Sequence, residues 1–450
     1  MNVKPQKEQR ILHRHITSFQ IIILGFFTVI LMGSLFLMLP IATRDGMGAA
    51  FFDALFTATS AVCVTGLVVH DTATYWTAFG QGIILTLIQI GGMGVVTVAV
   101  AIVTISGRKI GLMQRSVMQE AISAPQVGGI VRMTKFILKT TVLIELAGAM
   151  LLMPVFCKDF GIGKGIWYAI FHSISAFCNA GFDLIGCREP YSSFTLYESN
   201  PFVNGTTMAL IIIGGIGFLT WADIRQNRWQ WHKYRMQSKV ILSVTAGLIL
   251  VPAVYFFFYE FSGAELEERI WLSLFQAVTP RTAGFNTADL TLLSETGKML
   301  MIILMLIGGS PGSTAGGMKT TTAAVMCSNA WSVFRKKESA HFFGRRVPAE
   351  AIRIAATVFL MYMVLFLGGG MVISLVEQIP LLTALFETAS AIGTVGLSLG
   401  MTPTLGGISR AILIGLMFFG RVGGLTLIFA AVSERRVPMS KLPQEKITVG

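Results

Sequence analysis

Long, nearly uncharged apolar runs alternate along this chain with shorter, half-polar ones. The long runs occupy residues 19–40, 78–106, 136–156, 206–222, 240–259, 299–318, 354–376 and 411–432. A helix needs about 20 apolar residues to cross a bilayer core, so each run is a candidate span, eight in all. Charges inside them are few: Lys139 and Glu145 in the third and Arg421 in the eighth. The sixth run contains Gly308–Gly317, a stretch whose Gly and Pro disfavour continuous helix.

Between paired long runs lie shorter segments, 52–67, 167–182, 271–285 and 382–397, and they resemble one another. Each has a Phe (Phe56, Phe171, Phe275, Phe386), a stretch rich in Ala, Ser and Thr, and then a Gly followed by an apolar residue. That Gly is Gly66, Gly181, Gly284 or Gly396. The helical part of each is too short to span and suits a re-entrant element. Non-helical backbone survives at membrane depth only inside protein or against water, so the four loops belong around a common axis. Backbone carbonyls gathered there can replace the hydration shell of a cation. Gly relaxes the φ/ψ limits that would otherwise stop successive carbonyls pointing one way. The C-terminal end of each short helix, partly negative, favours a positive ion.

Composition agrees with a membrane protein. Of 450 residues, 53% are hydrophobic and 13% charged, against about 25% charged in soluble domains, and the mean hydropathy is +0.69. The net charge of +12 reflects topology. Lys and Arg concentrate in the N-terminus, in the connections near residues 108–139, 225–239 and 335–353, and in the C-terminus. The positive-inside bias puts both termini in the cytoplasm, with the basic loops against anionic lipid and no nucleic-acid partner. The basic N-terminus leads into a run longer than a signal-peptide core, which reads as a retained first span. The five Cys have no metal-ligand spacing and read as buried thiols. An intramembrane enzyme would need paired carboxylates, a Ser/Lys dyad or His ligands; Glu145, Arg421 and Lys319 form no such set, so no enzymatic activity is expected.

Four successive units of span, short helix, Gly-bearing loop and span resemble the Trk/Ktr/HKT superfamily of potassium transporters. Thr394-Val395-Gly396 looks like the start of a potassium-channel filter signature, and Gln276–Asn286 closely matches the third pore segment of the bacterial Ktr type. The span count also favours the Ktr membrane subunit of B or D type. The resemblance covers essentially the whole chain. It implies an all-α integral membrane fold with four pseudo-fourfold repeats around a central pore, and potassium uptake by channel-like permeation. The filter would comprise Val64, Thr65, Gly66, Asn179, Ala180, Gly181, Thr282, Ala283, Gly284, Thr394, Val395 and Gly396. Sodium transporters of the family have serine where this chain has Gly66, which favours potassium; a sodium-selective or weakly selective pathway is the alternative, and sodium coupling or activation stays open. The resemblance further implies a plasma (inner) membrane location, a homodimer, and a cytosolic RCK-type regulatory ring of Ktr A or C type. Any nucleotide, ATP/ADP or NAD, would bind that partner, since this chain has no Walker motif or convincing dinucleotide fingerprint and is expected to bind no cofactor of its own.

The repeats are expected at 18–110, 111–235, 236–335 and 336–432, flanked by cytoplasmic segments 1–17 and 433–450. The segment Gly308, Gly309, Ser310, Pro311, Gly312, Ser313, Thr314, Ala315, Gly316 and Gly317 should form an irregular intramembrane loop below the filter, a candidate gate. Arg421 is costly in an apolar span unless it faces water or a partner; it is assigned to gating, either by raising a barrier to cations or by holding the Gly-rich loop through carbonyl hydrogen bonds, and a structural ion pair with an acidic residue is the alternative. The resemblance also puts a pore-facing arginine there. Lys319 follows the loop, where snorkelling and gating are both open readings. The glycines at 91–94 and 214–217 suggest close helix packing, and 420–424 is a further Gly-rich stretch in a second span. Arg281 has Glu387 as an expected partner, Asp53 reads as an N-terminal helix charge, Asp223 as structural, and His172 as a satisfied hydrogen-bonding histidine. Pro280 should make the third loop begin early.

Overall fold

The computed structural model describes residues 17–99, 111–122 and 128–431. The expected terminal segments, apart from Thr17, therefore lie outside the described residues. Among the described residues the secondary structure is helical apart from one small hairpin that pairs His341–Phe342 with Arg345–Arg346 and two isolated bridges, Thr43–Trp76 and Ile307–Met318.

Four helices are long and apolar enough to cross a membrane: Ser18–Leu37, Ile130–Phe160, Met236–Glu260 and Ala349–Glu377. The first begins at Thr17, whose side chain forms a capping box with Gln20. Each long helix is apolar on both faces. Ile22, Phe26 and Ile30 are buried while Leu24, Phe27 and Leu35 are exposed; Leu360, Val364 and Leu375 are likewise exposed on the last. A helix that is hydrophobic all round has hydrocarbon as its outer solvent.

The other apolar runs are interrupted. Ala78–Met93 stops at Gly94, and Gly407–Val422 stops at Gly423 before Gly424–Ala431. Pro201–Gly215 and Phe218–Asn227 meet at 97° across Gly217. Glu295–Leu306 and Thr320–Phe334 are separated by the Gly-rich segment. Gly94, Gly217 and Gly423 have φ of 86°, 91° and 89°, left-handed backbone that glycine adopts without a steric cost.

The glycine clusters therefore do two things. A methyl group on Gly91, Gly214 or Gly420 would overlap the carbonyl oxygen of Val62, Phe177 or Ile392 respectively. Each of those carbonyls ends a short helix, so the packing reading covers half of the account. The other half is the break that follows.

The four short helices are Phe51–Val62, Ile162–Phe177, Leu266–Val278 and Leu381–Gly393. Their repeated Phe56, Phe171, Phe275 and Phe386 are fully buried and anchor each helix between a long helix and an interrupted one. Asp53 does more than charge a helix start: it accepts from Arg410 at 2.9 Å and lies 3.0 Å from His70, joining the first short helix to the Gly407–Val422 helix.

Candidate functional site

Each short helix runs into a loop of one backbone design. Val64, Asn179, Thr282 and Thr394 have φ of 50°, 59°, 64° and 51°, and two residues later Gly66, Gly181, Gly284 and Gly396 have φ of 91°, 69°, 80° and 98°. Left-handed backbone at a non-glycine residue is strained and persists where the surroundings enforce it. Alternating φ about an intervening residue turns neighbouring carbonyls toward one side.

The loops abut in a closed order. A methyl group built on Gly66 would lie 2.5 Å from the Ala180 carbonyl oxygen, and one on Gly181 would lie 2.8 Å from that of Ala283. On Gly284 and Gly396 it would come closer still to the carbonyl oxygens of Val395 and Thr65. The sequence of contacts thus runs from the first loop to the second, third and fourth and back to the first.

Hydroxyl groups brace each loop. Ser60 Oγ accepts from the amide of Gly66 at 3.1 Å and Ser390 Oγ from that of Gly396 at 3.0 Å. Ser175 donates to the Phe182 carbonyl at 2.7 Å and Thr279 to that of Phe285 at 2.5 Å. The general expectation of helpful Ser and Thr does not single these out; their recurrence a fixed distance before three of the glycines is the available signal. The third helix ends at Val278, and Thr279-Pro280-Arg281 carry the chain to Thr282. That loop does begin early. The side-chain hydroxyls of Thr65, Thr282 and Thr394 are buried without a protein partner.

On one side of the loops is a cavity of about 450 Å³, lined by all four glycines together with Asp71, Asp183 and Asp289. Asp183 is half-buried, and its carboxyl is pushed up to about 7 by burial and by the neighbouring Asp71 carboxylate.

On the other side lies the Gly-rich segment, held by backbone. Ser310 and Thr314 amides donate to the carbonyls of Gly215 (3.0 Å) and Gly214 (3.3 Å), and the Phe218 amide donates to Gly312 (2.7 Å). The Gly317 amide donates to Gly420 at 3.1 Å. These groups are free to do so because Pro201–Gly215 has ended and unpaired helix termini need partners. The Thr314 hydroxyl also reaches the second loop, 3.0 Å from the Phe177 carbonyl and 3.1 Å from Asn179 Oδ1. Asn179 Nδ2 in turn donates to the Arg281 carbonyl at 3.3 Å.

Arg421 clamps this segment. Its guanidinium donates to the carbonyls of Thr314 and Gly91, and to Gly92 at 3.1 Å, so it ties three parts of the chain together. Among the described residues no carboxylate pairs with it. Lys319 Nζ donates to Ala315 (3.0 Å) and Gly316 (3.3 Å), folding the segment onto itself. Both cations line a second cavity of about 160 Å³ on this side, with Glu120, a residue the sequence reading passed over.

The Arg281–Glu387 pairing is corrected. Arg281 donates to Thr245 Oγ1 at 3.1 Å. Glu387 is instead filled by the Ser398 hydroxyl (2.7 Å), the Leu399 amide (3.0 Å) and the Thr402 hydroxyl (2.6 Å), local groups that a long-range charge pairing ignores. Glu145 accepts from Gln89 at 3.2 Å, an interhelical contact. Asp223 accepts from Ser238 at 2.6 Å. His172 is satisfied by Tyr168 O at 2.7 Å and the Leu184 amide at 3.1 Å.

Comparison with known proteins extends this picture. The family model described as TrkH, cation transport protein, matches residues 3–442. The chain is 40% identical to the potassium/sodium uptake protein NtpJ of Enterococcus hirae, over 97% of this chain and 98% of that one. It is 38% identical to the Ktr system potassium uptake protein B of Bacillus subtilis, over 94% and 95% respectively. The solved structure of the potassium transporter TrkH from Vibrio parahaemolyticus shares the fold with a TM-score of 0.74 at 21% identity, covering 94% of this chain and 87% of that one.

Proposed function

The chain belongs to the TrkH family of cation transport proteins, and from that premise we propose that it carries potassium across the plasma (inner) membrane through the ring of four glycine-bearing loops. It is a multi-pass membrane transporter and not an enzyme. The observation that carries the reading is the closed order of contacts among Gly66, Gly181, Gly284 and Gly396. In this reading four sets of peptide oxygens share one axis.

The mechanism follows from ion solvation. A potassium ion leaving water must exchange its shell for other oxygens at little net cost. The carbonyls preceding the four glycines, with the unpartnered hydroxyls of Thr65, Thr282 and Thr394, form an oxygen-only donor set that suits an alkali cation. Val64, Asn179, Ala180, Ala283 and Val395 complete the filter. The vestibule carboxylates raise the local cation concentration by focusing the field in a low-dielectric funnel.

Gly308–Gly317 is the gate. It crosses the far side of the ring, and Arg421 and Lys319 hold it by hydrogen bonds to carbonyls. In this reading the four interrupted apolar runs are the second spans of four pseudo-fourfold repeats, giving eight spans in all, with both termini cytoplasmic. The protein works as a homodimer with a cytosolic RCK-type nucleotide-binding ring of Ktr A or C type. The names of the Ktr system relatives support such a partner.

A sodium or mixed pathway is the second reading, favoured by the printed name of the Enterococcus hirae relative. Flux into liposomes with potassium exchanged for sodium distinguishes the two. Deleting 309–316 and measuring potassium uptake in a deficient host tests the gate: a changed rate supports it, and an unchanged rate removes the assignment.

A further inference from the structure

We propose that the cavity beside the first turn of the Met236–Tyr255 helix binds the headgroup phosphate of an anionic phospholipid, with Arg228 as its cation and Trp229 and Trp231 as its frame. The site lies where a long apolar helix begins. Its volume is about 470 Å³, and Ile224, Arg228, Trp229, Trp231, Tyr234 and Leu242 line it.

Several independent features converge there. Arg228 ends the Phe218–Asn227 helix at φ 45°, ψ −119°, a conformation natural to glycine and strained for an arginine. Retaining a long cation at such a place points to use of the side chain. The turn is locked: the Arg228 amide donates to Ile224 at 2.8 Å, and the Tyr234 hydroxyl donates to the Arg228 carbonyl.

Three neighbouring cations are occupied, and Lys233 does not line the cavity. Arg235 pairs with Asp223 at 3.5 Å, Arg225 lies over the Phe136 ring, and Lys239 donates to the His232 carbonyl and sits above Phe343. Among the described residues the Arg228 guanidinium has no acidic or hydrogen-bonding partner.

The aromatic frame identifies the ligand as amphipathic. Trp229 is 98% exposed, an unfavourable state in water but the preferred one for an indole at a bilayer interface. Trp231 packs edge-on to Phe343 at 6.3 Å, fixing one wall. Ile224 and Leu242 supply an apolar wall that continues onto the outward face of the span, where Leu250, Val251 and Val254 are exposed. A free guanidinium above an apolar wall fits a phosphate that carries acyl chains.

The test uses the purified full-length protein in detergent, with phosphatidylglycerol or phosphatidylcholine added. Native mass spectrometry counts bound lipid, and thermal unfolding reads protection. The wild type should retain at least one more phosphatidylglycerol than phosphatidylcholine and show a selective rise in Tm. Arg228→Gly relieves the strained turn, so it folds at least as well, yet it should lose that lipid with roughly tenfold weaker binding. Arg228→Lys should retain part of it. Equal retention of the two lipids overturns the proposal, as does wild-type retention by Arg228→Gly. Protection by inorganic phosphate or an acidic peptide equal to that by phosphatidylglycerol also overturns it, in favour of a soluble anion or a protein partner.

Discussion

The hydroxyl of Thr314, in the Gly-rich segment, lies 3.1 Å from Oδ1 of Asn179, in the second glycine-bearing loop. The proposed gate and the proposed filter therefore share a buried hydrogen bond, and any movement that withdraws the segment must break it. Removing one partner of a buried bond costs about 1–3 kcal/mol. Thr314→Val should shift the closed–open balance toward open by about tenfold and raise rubidium efflux from liposomes that hold this chain alone, without the proposed cytosolic partner. Asn179→Ala should do the same and also disturb ion preference, because it frees the Arg281 carbonyl. Efflux at the wild-type level in both variants would uncouple the two elements.

Arg421 offers a sharper case. Three carbonyls, two at the end of the Ala78–Met93 helix and one in the segment, converge on one planar guanidinium, a geometry lysine's point charge does not reproduce. Arg421→Ala should leave the protein folded and raise maximal potassium flux several-fold. Arg421→Lys should resemble Ala more than the wild type. Uptake curves across external potassium concentrations check this, and wild-type curves for both would contradict the clamp.

The glycines of the proposed filter predict a steric phenotype. On Gly284 an added Cβ meets the Val395 carbonyl, and on Gly66 that of Ala180, both at strained positive φ. Gly284→Ala should abolish uptake while membrane levels persist. Gly66→Ser should lower potassium preference over sodium, measured as competition against rubidium uptake. Unchanged selectivity in Gly66→Ser would count against these carbonyls as the filter.

Vestibule charge gives a pH dependence. The Asp183 carboxyl is raised from 3.8 to about 7, so external acidification from pH 8 to pH 6 protonates it and removes a negative charge from the mouth. The apparent KM for potassium should rise on acidification, and Asp183→Asn should flatten that rise. For folding the sign is opposite to that of a paired carboxylate. The folded state holds this proton above the unfolded value, so the group's contribution to stability is full below 3.8 and is lost as pH rises toward 7. A KM independent of pH in the wild type would remove Asp183 from ion entry.

Much of this architecture was legible in the chain. Apolar length marked the long helices, and the recurring Phe and Gly marked the short helices and their loops, because burial and positive φ each leave a residue-type signature. The Gly-rich segment announced itself by its composition. What stayed hidden depended on proximity across the fold. Nothing near Thr314 in sequence points to Asn179, and Arg281 looked like a partner for Glu387 until Ser398 and Thr402 were seen to fill that carboxylate. The breaks at Gly94 and Gly423 were masked by apolar residues on both sides, since hydropathy measures the solvent a segment prefers and not whether its helix is continuous. Glu120 escaped notice because a single carboxylate acquires meaning only from the cavity it lines.

The most direct test of the central claim is rubidium flux into potassium-loaded liposomes that contain the purified protein, with external potassium or sodium as competitor. The account predicts saturable rubidium entry that potassium suppresses far more strongly than sodium and that Gly284→Ala eliminates. Entry that sodium suppresses equally, or that survives in Gly284→Ala, would contradict it.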